Sequence, residues 1–469
     1  MKNSTTNNNF KLNLALSKIP SVEEILQNKN LQPLIRRLSR KIITEIVRKV
    51  ISDEKKNLYE NGRIYSPKER INKIKDDIKK DNLAFLTQVI NGSGVILHTN
   101  LGRAPLGNEM FTVLRDSIQG YTNLEYNLYK GSRGKRGESV ENLFCVLSHA
   151  ERSLIVNNNA GAIFLILNSM AKNKQVIVSR GELVQIGGGF RIPDILKQSG
   201  AHLREVGTTN QTFIKDYENA ISKDTALILK VHQSNFKMDG FTNQVGVKEL
   251  KRLGRKYNLP IIVDLGSGTF LNTEDFGLKH EPTVQENIKN GADLVCFSTD
   301  KLLGGPQGGV VCGKELFLNK LLKNPIFRTL RVDKITLILL QEILLSYLKN
   351  EATSKIPVWK MISCPLDKIS QRSQNIYRGL IQEDIPVFLK DGNTAIGGGA
   401  LPGQTLPTQL IYIKPLCSVE IFSKELRLFH PPLLGRKEKN FFILDPRSFD
   451  SHYDNLVVKI IKTVYLKQK

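Results

Sequence analysis

ADLVCFSTDKLLGGPQGGVV, residues Ala292 to Val311, runs from a short apolar segment through a lysine into a glycine-rich turn. ADLVCF is apolar enough for a strand buried on both faces. Lys301 follows just past its end, and ligands bind at the carboxyl ends of strands in open parallel sheets. A lysine in such a cleft loses its proton cheaply and can form a Schiff base. Gly304, Gly305, Gly308 and Gly309 let the backbone turn tightly beside a bulky group. Lysines are abundant in this chain, so Lys301 alone reads equally well as a surface-turn residue.

Upstream, further short apolar runs alternate with helix-like segments. They are SLIV from Ser153, QVIV from Gln175, TALILK from Thr225 and PIIVDL from Pro260. The alternation starts near Val89 and continues to about Gly313. It predicts βα units around a mostly parallel sheet covered on both faces. Two of these runs end on residues that suit chemistry. PIIVDLGSG places Asp264 at a strand end, where a buried carboxylate needs a cation or several hydrogen bonds. A protonated pyridine nitrogen would serve, although a turn or capping aspartate looks the same in sequence. SLIV is followed by NNNAGA, Asn157 to Ala162, which opens a helix with small residues. The region of Asn158, Asn159, Ala160, Gly161 and Ala162 would offer free N–H groups to a phosphate. Alone, it is an ordinary strand-to-helix turn. Phosphate loop, acid and lysine, in that chain order and each after a strand, fit the aspartate-aminotransferase-like (fold type I) class of pyridoxal phosphate enzymes. No GxxxxGK[ST] loop occurs. The glycine clusters Gly187–Gly189 and Gly397–Gly399 lack the strand-GxGxxG-helix context of a dinucleotide site.

The flanks divide the chain further. Residues 1–12 are expected to be disordered, and residues 1–88 to form a helical region. Within it, LIRRLSRKIITEIVRKVI reads as one helix from Leu34 to Ile51, with an apolar stripe and with Arg36, Arg37, Arg40, Lys41, Arg48 and Lys49 off it. Those residues suit either a solvated face or a surface that tracks phosphates. A second charged helix is expected over residues 67–86. Residues 89–350 form the large α/β domain, ending in the helix-like VDKITLILLQEILLSYL from Val332. Residues 351–469 read as a smaller α+β domain.

Composition narrows the class. The chain has 469 residues, with 68 Lys plus Arg against 45 Asp plus Glu, a net charge of +23. That excess suggests a polyanion as partner, with nucleic acid first, although a Lys-favouring codon bias would give the same excess. No long apolar run suggests a membrane span, and no secretory signal is visible. The five cysteines, Cys145, Cys296, Cys312, Cys364 and Cys417, form no CxxC pair. Neither a disulfide framework nor a metal site is expected, and a cytoplasmic location is the default.

Arginines carry a second constellation. INGSGVILHTNLGRAPLG, Ile90 to Gly107, holds Arg103 in a loop stiffened by Pro105. FRTLRVDK places Arg328 and Arg331 three apart, on one face if a helix begins there. Guanidinium groups grip tetrahedral oxyanions, so the three could make a small-anion pocket or simply surface salt bridges.

Read jointly, these segments resemble the bacterial selenocysteine synthase family, the L-seryl-tRNA(Sec) selenium transferases. INGSGVILHTNLGRAPL, GELVQIGGGFRIPDIL, VGTTN, VHQSNF, VDLGSG, TDKLLGGPQGGVV, FRTLRVDK and GGGALPGQTLPT stand in that family's order. The N-terminal helical region and the DPRSF stretch also fit. Thr299 stands where the family commonly has Gly, and Gly92–Ser93 where Ala-Thr is usual. The resemblance implies pyridoxal 5′-phosphate on Lys301, with Asp264 at its ring nitrogen and Asp300 as an active-site acid. It implies a selenophosphate site of Arg103, Arg328 and Arg331 with Asn235 nearby. Thr208 and Thr209 match a subunit contact in a homodecamer built as a pentamer of dimers, and the N-terminal helices match a tRNA-binding domain. The implied reaction converts L-seryl-tRNA(Sec) to L-selenocysteinyl-tRNA(Sec), by loss of water to an aminoacrylyl intermediate and addition of selenium. Two rivals remain at this level: a pyridoxal phosphate enzyme for a small amino acid, and a non-catalytic RNA-binding protein on the same scaffold.

Overall fold

The computed structural model describes residues 13–80, 86–186 and 189–468. The expected disorder of residues 1–12, the end of the second charged helix, and Gly187 and Gly188 lie outside them. The chain forms two compact units, Met1–Gln88 and Val89–Lys469.

The first unit is helical. Val22–Leu26 and Gln32–Leu38 precede two longer helices, α1 (Arg40–Asn61) and α2 (Pro67–Lys80). The expected single helix from Leu34 to Ile51 is in fact two. Ser39 breaks it with φ 89°, in the left-handed region that serine rarely adopts. The break lets each piece turn its own apolar side inward: Leu38 before it, and Ile43, Ile46, Val47 and Val50 after it, share one core. α1 ends at Gly62, whose φ of 67° suits a glycine cap. A buried ion pair ties α1 to α2. Arg70 Nε and Nη2 donate to the Glu54 carboxylate at 2.7 Å each. Tyr65 N donates to Glu54 at 2.8 Å, and Tyr65 O accepts from Arg70 at 3.0 Å.

In the second unit the five apolar runs all become strands, and two more join them. In chain order these are β1 (Arg152–Val156), β2 (Gln175–Ser179), β3 (His202–Val206), β4 (Thr225–Val231), β5 (Ile261–Gly266), β6 (Leu294–Ser298) and β7 (Gly309–Gly313). They form one sheet in the order β1-β7-β6-β5-β4-β2-β3. Only β7 runs antiparallel to its neighbours, so the expected mostly parallel sheet is found. β3, HLREV, sits at the edge and keeps a polar face, which hides it from a search for apolar runs. Side chains alternate across the sheet. Val263, Leu265, Val295 and Phe297 enter one core, and Ile262, Leu294 and Cys296 the other. Helix α3 (Asn159–Met170) covers the second face with fully buried Leu165 and Ile166. Truncating either to Ala would cost about 2–5 kcal/mol.

A second sheet holds β8 (Val387–Gly397), β9 (Thr405–Ile413), β10 (Arg436–Glu438) and β11 (Phe441–Leu444) in the order β10-β11-β9-β8. Val95–Leu97 adds to β8 as a parallel edge, so the C-terminal sheet takes in a strand from ahead of the large one. Gly397 permits this approach, because a Cβ there would lie 2.5 Å from Leu97 O. No described helix is long and apolar enough to cross a membrane.

Candidate active site

The site is built where β5 and β6 end. Lys301, just past β6, is only 4% exposed. Its Nζ lies between the turn after β5 and the glycines after β8: a Cβ on Gly266 would sit 3.5 Å from Nζ, and one on Gly399 2.7 Å. Burial pushes the Lys301 ammonium below its usual range, and the charge of Arg103 adds to this. Asp264, Asp300 and Glu281 pull the other way. Among the described residues no ion pair or hydrogen bond closes on this amine.

Asp264, the fourth residue of β5, is 6% exposed. Asn159 Nδ2 donates to its Oδ1 at 2.8 Å. Across the ladder it pairs with Cys296 of β6 and Val231 of β4. Burial raises its carboxyl above the usual range, while the Asn159 hydrogen bond and the nearby Lys301 pull it down. No described cation stands within ion-pair distance of it. A buried acid served by a neutral amide, beside a buried amine with no partner, fits a ligand bearing a ring cation and an electrophilic carbon.

The start of α3 completes this arrangement. Asn158 caps the helix, its side chain accepting from Gly161 N at 2.8 Å. Asn157 N donates to Leu330 O at 2.9 Å. The amides of Asn159 and Ala160 are left at the open end of the helix, as a phosphate requires. Gly161 and Ala162 pack behind them, with Ala162 fully buried. Residues 158–162, Asp264 and Lys301 therefore present complementary groups for pyridoxal phosphate: anion-binding amides, a carboxylate for a pyridinium, and an amine for an aldehyde.

The arginines are placed differently from one another. Arg103 Nη1 meets Asp300 Oδ2 at 2.8 Å, and Ala104 N donates to Asp300 O at 3.2 Å. This pair joins the loop after Val95–Leu97 to the lysine turn. Arg328 and Arg331 do not share a helix face as expected. The helix Ile326–Thr329 ends between them, because the following segment is held by Leu330 O to the loop at Asn157. Arg328 is exposed and forms no ion pair among the described residues. Arg331 lies 4.0 Å from Glu125, which also meets Arg133 at 3.1 Å and Arg136 at 3.2 Å. Asn235 donates from Nδ2 to Gln185 O at 2.8 Å, and its buried Oδ1 has no partner. Thr208 and Thr209 lie on an exposed turn, where Thr208 Oγ1 donates to Gln211 O at 3.1 Å.

Four contributors were missed in the sequence. His232 follows β4, with Nε2 3.1 Å from buried Glu281, and its N donates to Asp264 O at 2.8 Å. Its position at a strand end was a visible signal, but Glu281 sits in a loop with no periodic pattern. Buried Ser234 also lies beside Gly266. Gly399 was visible as part of a glycine cluster, but only the fold brings it against Lys301.

Comparison with known proteins shows the family. The family described as L-seryl-tRNA selenium transferase matches residues 89–450, and the selenocysteine synthase N-terminal family matches residues 16–53. An L-seryl-tRNA(Sec) selenium transferase of Carboxydothermus hydrogenoformans is 46% identical over 92% of this chain and 94% of its own. One from Alkaliphilus metalliredigens is 41% identical over 96% of this chain and 98% of its own. A solved structure of D-glucosaminate-6-phosphate ammonia-lyase shares the fold at 16% identity with a TM-score of 0.59, covering 83% of this chain and 98% of that one. The architecture is the α/β aspartate-aminotransferase-like (fold type I) one expected from the strand-end residues. With residues 89–450 matched by the family and a relative 46% identical over 92% of the chain's length, the chain belongs to the L-seryl-tRNA selenium transferase family.

Proposed function

We propose that this protein converts L-seryl-tRNA(Sec) to L-selenocysteinyl-tRNA(Sec), with pyridoxal phosphate as cofactor and selenophosphate as selenium donor. The observation that carries the reading is the buried Lys301 amine, without a described partner, near the buried Asp264 carboxylate, without a described cation, at one end of the sheet. Lys301 would hold the cofactor's aldehyde carbon, Asp264 its ring nitrogen, and the amides at the start of α3 its phosphate. When bound, this cofactor supplies an electron sink next to the amino acid's Cα.

The chain's own residues do the rest. Lys301, its ammonium form disfavoured by burial, takes the Cα proton of the seryl group. Asn159 fixes the Asp264 carboxylate in place. Asp300 holds the Arg103 guanidinium at the mouth of the lysine turn. Arg103, Arg328 and Arg331 bind the selenophosphate oxygens, with Asn235 beside them. The serine hydroxyl takes up a proton and leaves as water; selenium from selenophosphate is then added at Cβ while a proton returns to Cα, and the Se–P bond is broken by water, which carries the phosphoryl group off as inorganic phosphate. Basic residues of α1 contact the tRNA backbone, giving affinity that falls with salt. Assembly as a pentamer of dimers through the Thr208–Thr209 turn, in the cytoplasm, completes the reading.

The test is reconstitution: pure protein loaded with pyridoxal phosphate, seryl-tRNA(Sec) and selenophosphate. Selenocysteinyl-tRNA is the expected product, and free serine should not substitute for the aminoacyl-tRNA. Turnover of free serine with no change in the aminoacyl-tRNA would overturn the assignment.

A further inference from the structure

A short hairpin stands beside the site and has no role in the chemistry described above. Its strands are Tyr126–Asn127 and Ser132–Arg133, with Tyr126 directly opposite Arg133. Opposed residues project from the same face. Tyr126 is 50% exposed, Leu128 74% and Tyr129 98%, an unusual display of large apolar groups on one turn. Lys130, Arg133 and Lys135 are exposed among them. At the foot of the hairpin a cleft of about 300 Å³ opens, lined by Tyr126 and Lys135 on one side and by Lys334 and Gln341 of helix α4 (Lys334–Leu348) on the other.

The hairpin is tied to the site through a short chain of bonds. Arg136 Nη2 donates to Val332 O at 2.7 Å. Glu125, at the hairpin's base, gathers Arg133, Arg136 and Arg331. The segment Leu330–Val332 is bonded in turn to Asn157, where the phosphate-binding loop begins.

We propose that this hairpin and its cleft bind the unpaired 3′ nucleotides of the RNA substrate, an inference that rests on the seryl-tRNA reading. Aromatic rings interleaved with cations form a stacking platform for single-stranded nucleic acid. Tyr126 and Tyr129 stack on bases, while Lys130, Arg133, Lys135 and Lys334 meet phosphates. A polyanion suits this surface better than a second copy of the chain, because the cations around the turn would meet another molecule of net charge +23. An aminoacyl group on a single-stranded end could then pass from the platform to Lys301 along the Arg331 side.

The test uses the full-length protein and a labelled short RNA ending in CCA, followed by fluorescence anisotropy. Tyr126→Ala with Tyr129→Ala should weaken binding about tenfold or more, and Tyr126→Phe with Tyr129→Phe should restore it. Lys135→Ala with Lys334→Ala should lower the slope of log affinity against log salt by about 1.4. Circular dichroism and sedimentation of each variant are read alongside. Unchanged RNA affinity in the alanine pair overturns the proposal, as does a parent protein that ignores the probe. A changed sedimenting mass with RNA affinity intact also overturns it, and assigns the hairpin to contacts between copies. Reconstitution with full tRNA is scored separately, so a failed conversion by the parent counts against the seryl-tRNA reading, whereas the probe titration tests the hairpin.

Discussion

Two regions bury charge, and they treat it in opposite ways. In the N-terminal unit Glu54 is fully buried and Arg70 nearly so, and every interaction is closed: two bonds between the side chains and two to Tyr65. At the end of the large sheet Asp264 and Lys301 are almost equally buried, yet neither has an ion-pair partner among the described residues. A satisfied buried pair acts as scaffold, and removing one half of it leaves a stranded charge. An unsatisfied pair costs stability in the free protein and marks a place where a ligand supplies the missing partners. Burial alone does not separate the two regions; completeness of bonding does.

The sharpest way to break this contrast is Lys301→Met. Conversion of seryl-tRNA should fall about 10³-fold or more, with loss of the bound cofactor's visible absorbance. The cofactor-free variant should meanwhile melt higher than the cofactor-free parent, by about 1 kcal/mol or more. A variant that melts lower would place Lys301 with the scaffold charges. Glu54→Ala should do the reverse. Hydrogen exchange in α1 should report a loss of about 3–5 kcal/mol, while absorbance at Lys301 stays unchanged.

Glu141 tests the middle ground, as a half-buried carboxylate with incomplete compensation. Burial raises it to about 7, against the partial pull of Arg152. The folded state then holds its proton more tightly than the unfolded state does. The stabilisation is full below pH 4.5 and is lost as pH rises towards 7. Glu141→Gln should therefore stabilise the protein at pH 8, by up to about 3 kcal/mol, and give no gain at pH 4. Equal effects at both pH values in thermal melts would exclude this account.

The smallest effect is expected at His280, half-exposed between Glu274 at 2.7 Å and Glu286 at 3.0 Å. Partial burial lowers its pKa, but the two carboxylates outweigh that and the net shift is upward. Its contribution is complete below the unfolded value of 6.5 and disappears as pH rises through the folded one. His280→Ala should cost less than about 1 kcal/mol at pH 6 and nothing at pH 9. A larger loss at pH 9, measured by urea melts, would show that packing rather than charge holds this corner.

Much of the fold was legible because it follows from local apolar runs. All five runs are strands, and Asp264, Lys301 and the Asn158 cap sit at strand ends as their positions implied. What was hidden depends on contacts distant in sequence or on backbone angle. β3 keeps a polar face because it is an edge, and Ser39 breaks a stripe whose spacing is unbroken. Arg331 leaves the helix of Arg328 because Leu330 is tied to Asn157. The neighbours of Lys301 and His232, namely Gly399 and Glu281, come from loops with no periodicity to read.

The glycine after β8 has a consequence for the order of biosynthesis. Gly399 sits against the Lys301 amine, and the strand it follows also holds Val95–Leu97. A growing chain that has emerged only as far as the lysine turn has six of the large sheet's seven strands but lacks this cover. On the ribosome, then, the reactive amine stays open to water and small molecules for nearly one hundred more residues, and it is enclosed only when β8 captures a strand made some three hundred residues earlier.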